Sequence, residues 1–225
     1  MATPSAAMRL ALKFDLLPDN LRAKAAGYLV DDIKAKKWHL STGFVGVSYL
    51  LPTLADSGNA DVAYKLLLQD TFPSWLFSVK QGATTMWERW DGWTPDKGFQ
   101  TPQMNSFNHY SLGSCGEWLY DSVAGINWDP DYPGYKHILI RPIVGGGLTS
   151  ANATIGSPYG NITSAWSLRE GNLILNVTIP TNTTATVYIR ADSNQPDGVK
   201  FLRSEGQSKV YEVQSGQYTF SGMWP

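Results

Sequence analysis

Thr84-Thr85-Met86-Trp87-Glu88-Arg89-Trp90-Asp91-Gly92-Trp93 sets three tryptophans around one glutamate, with an arginine and an aspartate beside it. A carboxylate walled by indoles suits sugar chemistry: the apolar face of a sugar ring stacks on an indole while the carboxylate acts on a hydroxyl or on water. A second dense segment, Asn105-Ser106-Phe107-Asn108-His109-Tyr110, carries the most suggestively placed of the three histidines. The same residues also admit a plainer account, with the tryptophans in a core and Glu88–Arg89 as a surface ion pair, because tryptophan is largely buried in most proteins. As a base, Glu88 must stay ionised near neutral pH. Arg89 favours ionisation, and burial among indoles raises the pKa toward a working value. His109 can donate to and accept from a sugar hydroxyl, or cap a helix start. Trp87, Trp90 and Trp93 cannot all face one sugar, so the expectation is one platform with the others in the core.

The elements that must position these groups fall into two halves. Up to about residue 125 the apolar period is helical. Ala6, Ala7, Leu10, Ala11 and Phe14 form one stripe, and Leu21, Ala25, Leu29 and Ile33 form the next after Leu17-Pro18-Asp19. Phe44 to Leu54 is short and very apolar, and Asp56-Ser57-Gly58 stops it. Val62, Ala63, Leu66 and Leu67 mark a fourth helix, and Pro73 opens a fifth through Trp75, Leu76 and Val79. A sixth is predicted over about 106–123, where Phe107, Ser111, Cys115, Leu119 and Val123 share a face. There Ser111, Gly113, Ser114 and Gly116 would let a neighbouring helix approach. Six helices on short turns imply three antiparallel hairpins.

After Asp129-Pro130-Asp131-Tyr132-Pro133-Gly134 the period drops to two. Leu173, Leu175, Val177 and Ile179 alternate with polar or outward positions, as do Ala185, Val187 and Ile189. Segments near 137–141, 148–155, 160–169, 198–203, 209–214 and 217–221 are also strand-like, separated by Gly, Pro and Asn turns. The prediction is an α + β multidomain chain: about three helical hairpins over 1–131, then an antiparallel β-sandwich over 132–225.

The totals exclude several classes. Net charge is −1, from 18 basic and 19 acidic residues in 225, and no basic run is long enough to suggest nucleic acid as a partner. The cluster Lys34-Ala35-Lys36-Lys37 ends a predicted helix, where cations complement the dipole. One cysteine, Cys115, rules out an internal disulfide and a Cys-rich zinc site, and its small neighbours suggest packing. No metal or cofactor is expected. No apolar run reaches membrane-spanning length. The N-terminus shows no signal-peptide pattern and reads as a helix already under way, so an upstream part is expected; any signal peptide would lie there. Four Asn-x-Ser/Thr sequons begin at Asn152, Asn161, Asn176 and Asn182; Asn- and Thr-rich strand faces also generate such triplets by chance.

The whole chain resembles the C-terminal part of family 78 glycoside hydrolases, the α-L-rhamnosidases. The residues that carry the resemblance are His39-Leu40-Ser41-Thr42-Gly43-Phe44, Gly82-Ala83-Thr84-Thr85-Met86-Trp87-Glu88-Arg89-Trp90 and Ser106-Phe107-Asn108-His109-Tyr110. Gly134-Tyr135-Lys136-His137-Ile138 with Ile140-Arg141-Pro142 matches the entry to that family's C-terminal β-domain. The resemblance implies the second half of an (α/α)6 toroid, with Glu88 as general base of an inverting hydrolase. It also implies rhamnose contacts from His109, Trp87, Trp90, Trp93, Arg89 and Asn108. Inversion needs a second carboxyl to protonate the leaving oxygen, about 6.5–9.5 Å from the base so that water fits between. The family's acid motif, rich in Asp, Arg, Glu and Trp, has no counterpart here; Asp31-Asp32 reads as a solvated helix end. The acid is therefore expected in a missing N-terminal part of the same enzyme, and this chain alone is expected to be inactive. Two other readings stay open: a toroid glycosidase for another sugar, and a non-catalytic carbohydrate-binding or structural fragment. A zinc-dependent toroid is disfavoured by one cysteine and three scattered histidines.

Overall fold

A computed structural model describes residues 4–190 and 192–224. The chain divides into two compact units, Met1–Trp118 and Leu119–Pro225. In the first, α1 (Pro4–Lys13), α2 (Asp19–Ala35), α3 (Phe44–Asp56), α4 (Ala60–Leu67) and α5 (Trp75–Lys80) fall where the apolar stripes predict them. Helix α1 packs on α2 and α3, and α3 on α4. Ala25, Leu29 and Ile33 of the α2 stripe are buried, but its first member, Leu21, is 44% exposed. Leu21 borders an open groove of about 440 Å³ with Ala7, Met8, Ala11, Leu17 and Tyr28, almost entirely apolar. Arg9, 3% exposed, is the one charged side chain buried among the described residues of α1. Its guanidinium occupies the space that a side chain at Gly46 of α3 would need. Desolvation holds its pKa below the usual value, partly offset by the charge of Asp32.

The sixth helix departs from expectation. Residues 106–109 are irregular, with a bend at Phe107–Asn108, and the run that follows is a 3-10 turn at Tyr110–Ser114, one α-turn, α6, at Cys115–Trp118 and a π-turn at Leu119–Val123. The cause is local. The Ser106 carbonyl and the His109 N–H are engaged by residues 88 and 86, so this backbone cannot also make helical bonds. The glycines at 113 and 116 weaken the helix further. Instead of admitting a helix, Gly113 lies against the side chain of Met86. Cys115 is half-buried, and burial pushes its thiol up to about 11.

A short hairpin unforeseen in the sequence reading, β1 (Trp93–Thr94) with β2 (Gly98–Phe99), follows the Trp-rich segment. Its Pro95-Asp96-Lys97-Gly98 turn has glycine at positive φ, a readable turn signal.

The second unit holds two sheets. β3 (Ile126–Trp128), β4 (His137–Ile140), β8 (Thr184–Arg190), β10 (Ser208–Val213) and β9 (Lys200–Glu205) make one, in the order β3-β4-β8-β10-β9. β11 (Gly216–Met223), β7 (Asn172–Ile179), β6 (Gly160–Arg169) and β5 (Ser150–Ser157) make the other, in the order β11-β7-β6-β5. The alternation read from the sequence is the burial pattern found: Leu173, Leu175, Val177 and Ile179 of β7 and Ala185, Val187 and Ile189 of β8 are core. Trp166 and Ser164 of β6 are buried and donate to the carbonyls of Val123 and Ala124. Strand β3 was not foreseen, and β4 pairs with β8 in parallel, His137 opposite Thr184, so the sandwich is antiparallel except at that one pair.

Candidate active site

Glu88 and His109 are borne on two irregular segments of the helical unit whose backbones hydrogen-bond each other. The Glu88 N–H donates to the Ser106 carbonyl at 2.8 Å, and the His109 N–H to the Met86 carbonyl at 2.9 Å. The Thr85 hydroxyl adds a bond to the Phe107 carbonyl. The Ser106 N–H also donates to Glu88 Oε2 at 2.7 Å, so the same residue fixes both the backbone and the carboxylate of Glu88. One carboxylate oxygen is thereby anchored in a half-buried side chain. Sequence spacing alone did not show this clamp; two irregular segments within a helical half have no periodic signature.

The His109 ring lies nearly parallel to Phe44, with centroids 4.5 Å apart, and to Tyr110 at 5.7 Å. Nδ1 accepts the Ser111 N–H at 3.3 Å, capping the 3-10 turn. In a neutral ring this places the proton on Nε2, which is then a donor without a protein partner among the described residues. The capping alternative raised by the sequence is therefore present, yet it leaves the other nitrogen available.

The tryptophans separate into one buried and two half-buried positions. Trp87, named above as a sugar contact, is 7% exposed with its ring edge-on to Phe107, a packing position. Trp90 is half-buried, donates from Nε1 to the Thr42 carbonyl at 2.9 Å and stands edge-on to Trp75. Trp93, in β1 opposite Phe99, is half-buried. Arg89 forms a fork with Asp91, 3.0 Å and 3.1 Å, and that contact, with a smaller contribution from Glu88, holds its pKa above the usual value. Asn108 has an exposed side chain, and its N–H donates to Ser106 Oγ at 3.1 Å.

Supporting residues beyond those predicted tie this region down. The Asn105 amide donates to the Gly92 carbonyl at 2.8 Å, and its Oδ1 fills the space that a side chain at Gly92 would take. Trp75 Nε1 donates to the Leu112 carbonyl at 2.7 Å. The segment His39–Phe44 contributes twice, through the Thr42 carbonyl under Trp90 and the Phe44 ring on His109. The signal for it was present as a motif without any visible chemistry. Asp31 and Asp32 are engaged by Lys34 and Lys36 at the end of α2, as a solvated helix terminus should be.

Helical hairpins bearing a clamped, indole-flanked carboxylate, followed in the chain by a β-sandwich, define the hairpin-glycosidase class. Residues 2–123 match the bacterial alpha-L-rhamnosidase 6 hairpin glycosidase domain, and residues 125–200 the bacterial alpha-L-rhamnosidase C-terminal domain. The chain belongs to the bacterial α-L-rhamnosidase family. An alpha-L-rhamnosidase of Streptomyces avermitilis is 52% identical over 217 residues, covering 94% of this chain and 21% of that protein. The crystal structure of the Streptomyces avermitilis enzyme complexed with L-rhamnose superposes with a TM-score of 0.88 at 51% identity, over 96% of this chain and 21% of that one. That of the native enzyme from Aspergillus terreus gives 0.85 at 36% identity, over 99% and 24%. The chain thus spans about a fifth to a quarter of the length of these relatives.

Proposed function

We propose that this chain is the C-terminal part of an inverting α-L-rhamnosidase that removes terminal α-L-rhamnose from glycosides or polysaccharides, with Glu88 as general base. The observation that carries the reading is the Ser106–Glu88 clamp: it fixes a half-open carboxylate from the most specific motif in the chain, on a segment whose backbone bonds the one that bears His109. In this reading Glu88 takes a proton from water as the water attacks the anomeric carbon, and the anchored Oε2 leaves Oε1 to receive it. His109 Nε2 donates to a sugar hydroxyl, Trp90 or Trp93 offers a stacking face, and Arg89 and Asn108 supply polar contacts at the rim. Residues 1–131 act as the second half of a six-hairpin catalytic ring and 132–225 as its β-domain.

The general acid comes from an N-terminal part of the same enzyme, which also covers the open groove along α1 and α2. The coverage of the relatives and the exposed stripe at Leu21 support this. The 225-residue chain alone is therefore inactive, because without proton donation the departing alkoxide is a poor leaving group. The test is p-nitrophenol release from its α-L-rhamnoside by the purified chain and by a longer protein that contains it. Turnover by the longer protein alone supports the reading; robust turnover by 1–225 overturns it.

A further inference from the structure

The second unit carries a cleft that the catalytic reading does not use. It has a volume of about 480 Å³ and lies at one end of the five-stranded sheet, where β4 and β8 begin and β10 ends. That volume falls within the roughly 300–1,000 Å³ of small-molecule sites. The register explains its chemistry. Ala185 and Val187 of β8 point to the core, so Thr184 and Thr186 point outward, and Glu212 pairs with Thr186 on the neighbouring strand. His137, opposite Thr184, lies on the same face and binds both hydroxyls, Nδ1 to Thr184 at 2.6 Å and Nε2 to Thr186 at 2.8 Å. Both ring nitrogens are used, so the imidazole is a rigid floor.

The walls are different in kind. Tyr132, 54% exposed, leans over His137 with centroids 5.8 Å apart and offers an open ring face. Lys136 donates to the side-chain oxygen of Asn182 at 3.0 Å and to its carbonyl, which fixes the ammonium across the mouth. Asp129, Glu212 and Gln214 add acceptors and an amide. Glu212 is itself held by Lys200 at 3.8 Å. The lining carries two carboxylates, Asp129 and Glu212, and one ammonium, Lys136, which Asn182 already engages, so nothing in the cleft favours an anion. An aromatic face ringed by mixed donors and acceptors fits a polyhydroxylated ring with apolar C–H faces.

We propose that this cleft is a second, non-catalytic carbohydrate subsite that holds one neutral pyranose stacked on Tyr132. Its hydroxyls bond Lys136, Asn182 and Glu212. The inference does not depend on the role of Glu88. A ring bound there would keep a branched or polymeric substrate on the protein between catalytic events, a multivalent contribution that needs no new catalytic contact.

The test is an NMR titration of the full 225-residue chain with methyl α-L-rhamnopyranoside and methyl β-D-glucopyranoside, and with sodium glucuronate as an anionic comparison. Saturable shifts at 129–137, 182–186 and 212–215 with a neutral glycoside are expected. Tyr132→Ala should weaken binding about tenfold, the upper range for loss of an aromatic face, and glucuronate should bind more weakly than either glycoside. Glu88→Gln should leave the cleft shifts intact. Absence of saturable shifts in the cleft, equal binding by Tyr132→Ala, or a preference for glucuronate would each overturn the proposal. Tyr132 is exposed, so an unchanged melting curve for its variant separates lost binding from lost folding. Cleft shifts in this chain, together with unchanged rhamnoside hydrolysis when a longer protein that contains it carries Glu88→Gln, would sink the general-base reading and leave this one standing.

Discussion

The two units solve the burial problem differently. In the sandwich, each strand alternates and both faces of the core come from this chain: Leu175 of β7, Val187 of β8, Val210 of β10 and Phe220 of β11 are fully enclosed. In the helical unit the stripes are equally regular, yet Phe14, Leu16, Leu21, Tyr28 and Val45 remain exposed. A sheet needs one partner sheet, whereas a helix in a hairpin ring needs neighbours on more than one side. The unit with the unfinished packing is also the one that carries the clamped carboxylate. The candidate site and incomplete burial therefore coincide in one half.

The largest effect is expected at Glu88. In the full-length enzyme, Glu88→Gln should lower rhamnoside hydrolysis by about 10²–10⁴-fold, because the amide keeps the shape but cannot accept a proton. Rhamnose binding should stay nearly intact, and azide should restore the rate of Glu88→Ala. Activity within a few-fold of the parent would remove the chemistry from this half of the molecule.

A stability contrast comes next. Leu175→Ala, at a fully enclosed position of β7, should cost about 2–5 kcal/mol of the sandwich transition in urea. Leu21→Ala, at the open end of the α2 stripe, should stay within about 0.5 kcal/mol. Equal costs would mean that Leu21 is covered in solution and that the comparison fails. Leu21→Lys combined with Tyr28→Lys should then reduce self-association of the chain, read by light scattering, without moving the sandwich transition.

How much of this was legible in the sequence follows the same division. Strands β4 to β11 and helices α1 to α5 stood within a few residues of their predicted places because their apolar residues repeat with a period that backbone geometry enforces. Strand β3 was missed because three residues cannot show a period. The sixth helix was misread because its first residues share a helical spacing that the pairing with Met86 and Glu88 overrides. Glu88 and His109 were visible as residue types in an unusual neighbourhood. The Ser106 clamp, the Phe44 ring on His109 and the packing role of Trp87 were not, since each depends on contacts between segments distant in sequence or out of regular structure.

The smallest effect concerns alkaline pH, and it also distinguishes the units. Burial raises the Tyr64 phenol to about 12 and the Cys115 thiol to about 11, from ordinary values of 10.0 and 9.0, and both lie in the helical unit. Each group is neutral when protonated, so the unfolded chain releases these protons at lower pH than the folded one. The stability linked to the thiol is therefore complete below about pH 9 and lost as pH rises toward 11; that linked to the phenol declines between about 10 and 12. Urea unfolding followed at 222 nm should show the helical transition weakening from pH 8.5 to 10.5, with Cys115→Ala removing part of the slope. Thiol alkylation of the folded chain at pH 8 should be slow for the same reason, because the thiolate is scarce there. A helical transition that is flat across this range, or a Cys115 that reacts as fast as a free thiol, would show that this part of the helical unit opens to solvent. The contrast with the closed sandwich would then extend from the groove to the core where Tyr64 meets Trp118.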